Sequence, residues 1–72
     1  MNITATTTAS ASETTTKIAG PTGLRAIMRR DHGTFRVSVE TVVAGRTTGM
    51  HSFGKRESAA RRFAVEFCAG QH

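Results

Sequence analysis

Arginine is the residue type in this chain whose spacing gives its chemistry a place to act. Arg25, Arg29 and Arg36 fall on one alternation class of two successive extended segments, so pairing those segments would gather three guanidinium groups on one face. A guanidinium is a planar fork that can grip a phosphate, or the edge of guanine, through two parallel hydrogen bonds. Arg46 at the next turn would extend the patch, and Arg30, Lys55 and Arg56 would add contacts to a polyanion backbone, which give affinity without sequence information. The plainer reading of the same residues is an ordinary solvated basic face. The run Gly54-Lys55-Arg56 opens a helix and could bind phosphate at its free N–H groups, or it is simply helix-starting chemistry with Gly54 as the N-cap.

Other chemistry has little to stand on. Asp31 and His32 are neighbours in a turn, no Ser or Cys sits beside a base and an orienting group, and the carboxylates are scattered singly, so no catalytic residue is expected. His51, Cys68 and His72 lack the paired spacing of a zinc site. Neither a metal nor a cofactor is expected, and the chain reads as a non-enzyme.

Composition agrees with a polyanion partner. Ten Lys and Arg oppose five Asp and Glu among 72 residues, a net charge of +5, and such a field attracts phosphate backbones. The single cysteine rules out an internal disulfide and suits a reducing compartment. No apolar run is long enough to span a bilayer, and the N-terminus lacks the pattern of a secretory signal. A cytoplasmic location is expected, in a host cell if the chain is phage-encoded.

The elements that would hold the arginines follow from periodicity. Asn2 to Thr16 is a Thr/Ala/Ser tract, read as a disordered tail over residues 1–20 because it offers little to bury. Gly20, Pro21 and Gly23 mark the start of a domain over residues 21–72. From Leu24, Ala26 and Met28 alternate with Arg25, Ile27 and Arg29, which predicts a first strand. Asp31-His32-Gly33 predicts a turn with Gly33 at positive φ. Phe35 to Val43 predicts a second strand with Phe35, Val37, Val39 and Thr41 inward, and Thr47 to Phe53 a third. Ala60, Phe63, Ala64, Phe67 and Cys68 recur at helical steps and predict a helix over 55–69. The expected fold is α+β: a three-stranded antiparallel sheet packed on one C-terminal helix. A fold that small buries only about 60% of its unfolded surface, and its thin Ala/Phe core leaves a homodimer open as a way to bury more.

Gly23-Leu24-Arg25, Gly33-Thr34-Phe35, Gly45-Arg46, and then Ser52-Phe53 followed by Glu57, Ala59, Ala60, Phe63 and Ala64 resemble the three-strand-plus-helix DNA-binding domain of the ethylene-response-factor (APETALA) family and its integrase arm-type relatives. The resemblance implies that the exposed sheet face enters the major groove of duplex DNA, with Arg25, Arg36, Ser38 and Thr47 as readers. The chain departs from the pattern in having no Trp, with Gly49 where the third strand usually carries one, Glu40 where an arginine is common, and a longer first hairpin. A weaker resemblance, carried by Phe35 to Val39, Gly45, Gly49 and Lys55-Arg56-Glu57, is to the end of a double-stranded-RNA-binding domain, where a basic helix start clamps phosphates. A third expectation, of another class, is a small phage-type inhibitor that binds a host protein or nucleoprotein complex, such as an anti-defence protein.

Overall fold

A computed structural model describes residues 3–70. Five strands, β1 (Thr4–Ala9), β2 (Glu13–Ala19), β3 (Leu24–Asp31), β4 (Val37–Val43) and β5 (Arg46–Ser52), precede one helix, α1 (Glu57–Cys68). The strands lie in chain order, each antiparallel to the next. The expected three-stranded sheet is thereby corrected to five strands, while the α+β class and the C-terminal helix stand. The added strands, Thr4–Ala9 and Glu13–Ala19, fall where a disordered tail is expected, so that expectation fails for residues 3–20, while residues 1–2 lie outside the described residues; the Gly20 to Gly23 segment is a hairpin turn between paired strands, not a domain boundary.

Threonine is the reason. It is β-branched and suits an extended backbone, and alternation in β2 turns Thr16 and Ile18 inward, where both are buried, while Lys17 stays exposed. The buried Thr16 hydroxyl shares a hydrogen bond with that of Thr7 at 3.1 Å, so its burial leaves no orphaned polar group. Thr41 is buried in the same way, 3.1 Å being replaced by 2.9 Å to the Thr48 hydroxyl.

The same alternation makes the core. Ala26 and Met28 of β3, Val37 and Val39 of β4, and Ile18 of β2 meet Ala60, Ala64, Phe67 and Cys68 of α1. Each fully buried aliphatic side chain stabilises by about 1.5–3 kcal/mol relative to exposure, and with three alanines in this set the core is thin. The helix lies on β3, β4 and β2. Its backbone does not reach β1, whose six residues are all exposed.

Two turns depart from expectation or sharpen it. In the β3–β4 connection the left-handed residue is Phe35, at φ 59°, and not Gly33. Phe35 therefore leaves the strand and stands 60% exposed instead of facing inward. The Phe35 N–H donates to the Asp31 carbonyl at 2.7 Å, and Asp31 Oδ1 accepts the N–H groups of Gly33 and Thr34 at 2.7 and 3.0 Å. Between β4 and β5, Ala44 and Gly45 take φ 53° and 80°, the pair of positive values that a type I′ hairpin turn requires.

Candidate nucleic-acid interface

Register decides which side chains share a surface, because directly opposed residues in an antiparallel ladder point to the same face. Lys17 stands opposite Ile27, Ala19 opposite Arg25, and Thr15 opposite Arg29. Arg25 in turn faces Val42, Ile27 faces Glu40, and Arg29 faces Ser38. All of these lie away from α1, on a sheet face over which no element lies among the described residues.

The face is divided. Toward the β3–β4 turn, an open depression of about 310 Å³ is lined by Arg29, Arg36 and Ser38 together with Glu13 and Asp31. Here the basic groups are largely balanced. Arg29 Nη1 donates to Glu40 Oε1 at 2.8 Å, and the Thr47 hydroxyl donates to Glu40 Oε2. The Thr47 hydroxyl first, and the Arg29 guanidinium second, hold the Glu40 carboxyl below its ordinary range. Backbone donation from Thr34 and Gly33 does the same for Asp31. Both carboxylates therefore stay charged at neutral pH.

The other end differs. An open depression of about 480 Å³ is lined by Thr4, Thr6, Lys17, Arg25, Ile27 and Val42, with no acidic residue among its lining residues. Lys17 is a diagonal neighbour of Arg25 across the β2–β3 ladder, a relation that sets residues roughly 7–8 Å apart. Two exposed cations that close, within the ~8 Å Debye length of physiological salt, repel each other unless an anion lies between them.

The nine residues expected to bind therefore fare differently. Arg25 and Arg29 project from one face of β3 as expected, and Arg36, although it precedes β4, lines the same depression as Arg29 and Ser38. Thr47 reaches that face but is engaged by Glu40. Arg46 does not extend the patch: it stands opposite Val43, which stands opposite Leu24, and so belongs to the helix-facing class. Lys55 and Arg56 are exposed ahead of α1, close to the start of β4 because Val37 N–H donates to the Gly54 carbonyl. The N-cap is Arg56, not Gly54, and it makes no side-chain cap bond. Arg30 is turned to the helix side, where it pairs with Glu57 at 2.8 Å.

Lys17 was missed because it sits in the threonine tract. Its signal was present as alternation: Thr16 and Ile18 flank it as an inward pair. Arg61 and Arg62 form a second basic surface, lining with Glu57, Ser58 and Val65 an open hollow of about 350 Å³ on the far side of α1. Glu57 is within 3.6 Å of Arg61 as well as pairing with Arg30.

For other chemistry, no group of three His, Cys, Asp or Glu able to hold a metal occurs among the described residues, and His72 lies outside them. His51 packs its ring on Phe63 at a centroid distance of 4.7 Å. His32 shares a hydrogen bond with the Thr14 hydroxyl at 2.6 Å. The Cys68 thiol is buried and donates to the Ile18 carbonyl at 3.4 Å; burial pushes its pKa up, which keeps it protonated and unreactive. No helix among the described residues is long and apolar enough to cross a membrane.

No family model matches the chain, and neither a curated protein nor a solved structure is found similar to it.

Proposed function

We propose that this chain is a nucleic-acid-binding module that holds duplex DNA against the helix-free face of its sheet. The observation that carries the reading is the acid-free end of that face, where Lys17 and Arg25 stand side by side among threonine hydroxyls. Arg36 and Ser38 continue the contact toward the other end, and Arg29 contributes less because Glu40 balances it.

Width sets the mode of binding. Neighbouring strands lie about 4.8 Å apart, so five strands span roughly 19 Å between the outermost, and a major groove is only about 12 Å wide. The sheet is too broad to enter the groove as a flat face. It would lie across the flanking phosphates, an arrangement that favours affinity over sequence discrimination.

The test is the salt dependence of binding to labelled duplex DNA. Each phosphate contact adds about 0.9 to the slope of log affinity against log salt. The double variant Lys17→Ala with Arg25→Ala is expected to flatten that slope by about 1.8, while Glu40→Gln, which releases Arg29, steepens it. Duplex RNA run in parallel distinguishes the two nucleic acids. Absence of duplex binding at low salt, or a slope that ignores the double substitution, overturns the reading.

A further inference from the structure

We propose that β1 is an interface strand through which two copies of this chain pair, edge to edge and antiparallel, into one continuous ten-stranded sheet. This inference does not depend on the nucleic-acid reading.

The first observation is that β1 has nothing of its own to bury. All six of its residues are exposed, and the backbone of α1 does not reach it, although Thr7 shares a small hollow with Glu57 and Arg61 of the helix. It is nevertheless an ordered strand paired along its length with β2. The second is the state of its outer edge. Natural sheets blunt their edges with charges, prolines or bulges, and Thr4-Ala5-Thr6-Thr7-Thr8-Ala9 has no charge and no proline. Its ladder with β2 runs without a break in register. The opposite edge is different: the β4–β5 ladder contains a register shift at Thr41/Val42, and β5 carries Arg46 and Gly49.

The third observation identifies the backbone groups that would bond. Ser10 N–H donates to the Glu13 carbonyl at 2.8 Å, which closes the β1–β2 hairpin. Hydrogen-bonded residues alternate along an antiparallel strand, so Thr8, Thr6 and Thr4 turn their backbone groups toward β2. Ala5, Thr7 and Ala9 turn theirs outward. A two-fold axis perpendicular to the sheet, midway between the two strands at the level of Thr7, pairs Thr7 with its own copy and Ala5 with Ala9 of the copy. The outward donors then meet outward acceptors, and the two sheet faces stay continuous.

The occupant is a second copy because the strand suits itself. In a chain of net charge +5, two copies repel, and β1 is a stretch where identical strands can meet without opposing like charges. Arg30 and Arg61, which share a hollow with Thr7, are both paired there with Glu57, and Lys17 on β2 would lie three strand spacings from its counterpart, about 14 Å, which is beyond the Debye length of about 8 Å at physiological salt.

The experiment combines mass with amide exchange on the full chain. Light scattering is expected to give twice 7.7 kDa as protein rises from micromolar to millimolar, with Ala5, Thr7 and Ala9 amides becoming protected over the same range. Ala5→Pro and Ala9→Pro each remove one outward N–H without touching the β1–β2 ladder; each is expected to return the protein to a folded monomer. A constant 7.7 kDa mass with those three amides exchanging fast beside slow Thr4, Thr6 and Thr8 overturns the proposal. So does a mass above two copies, since the two-fold pairing closes, or a folded variant that remains dimeric. If both variants unfold, the exchange pattern of the unaltered chain decides.

Discussion

Ala44 holds a backbone conformation that its side chain disfavours. At φ 53° beside Gly45 at 80° it occupies the first central position of a type I′ turn, where Asn-Gly is the preferred pair. A Cβ in the left-handed region costs about 1–2 kcal/mol, and asparagine is among the few side chains that visit it readily. Ala44→Asn is therefore expected to raise stability by about 0.5–1 kcal/mol, which at this chain length lifts the thermal midpoint by roughly 2–8 °C. Melting followed by circular dichroism checks it, and an unchanged or lower midpoint argues against the I′ assignment. Phe35 shares the left-handed region, and the expectation for it went astray for a physical reason. Alternation alone put Phe35 inward with the valines, but Asp31 Oδ1 draws in the amides of Gly33 and Thr34, closing the turn over the residue where the strand was expected to begin.

Strands and helix were legible in unequal measure. The helix could be read because Ala60, Ala64, Phe67 and Cys68 recur at helical steps and are the residues it buries. β3 and β4 could be read because apolar and polar residues alternate cleanly. β1 and β2 could not, since their period is written in threonine, whose methyl packs like valine while its hydroxyl reads as polar. Only register reveals that Thr16 is as buried as Ile18. With β2 went Lys17, and so half of the acid-free basic pair. Gly20 was misread along with them. Read as a mark of a boundary, it is a point of close approach: a Cβ there would lie 2.0 Å from the Cys68 carbonyl oxygen. The β2–β3 turn is thus wedged against the end of α1, and neither backbone can yield without opening the other. Gly20→Ala is expected to destabilise by about 1–3 kcal/mol, the range of an overpacked core, whereas Gly23→Ala meets no atom within 4 Å and is opposed only by its φ of 82°. Urea unfolding checks it: a Gly20→Ala variant as stable as the parent would remove the claim that turn and helix end touch.

Where the folded unit begins is a question of which strands the core needs. Removing residues 1–10 deletes β1 and leaves β2 as the edge; among the described residues this takes away Ile3, which packs on the rim of the core, the Thr7 hydroxyl's bond to Thr16, and the ladder bonds. About 1–2 kcal/mol is expected, the scale of one partly buried aliphatic and weak net hydrogen bonds, together with a monomer at every concentration if β1 is the pairing strand. Removing residues 1–20 is of another kind. It takes away Ile18, its carbonyl's contact with the Cys68 thiol, and buried Thr16, and it strips β3 of one of its two ladders. The aliphatic burial alone is about 1.5–3 kcal/mol, and natural domains hold only about 5–15 kcal/mol in all, with the smallest at the low end. The shorter truncation is therefore expected to keep native far-ultraviolet circular dichroism and a cooperative melt, and the longer one to lose both. A chain starting at Pro21 that still melts cooperatively would mean that β3, β4, β5 and α1 form a sufficient core without β2, and that Lys17 decorates the fold without belonging to it.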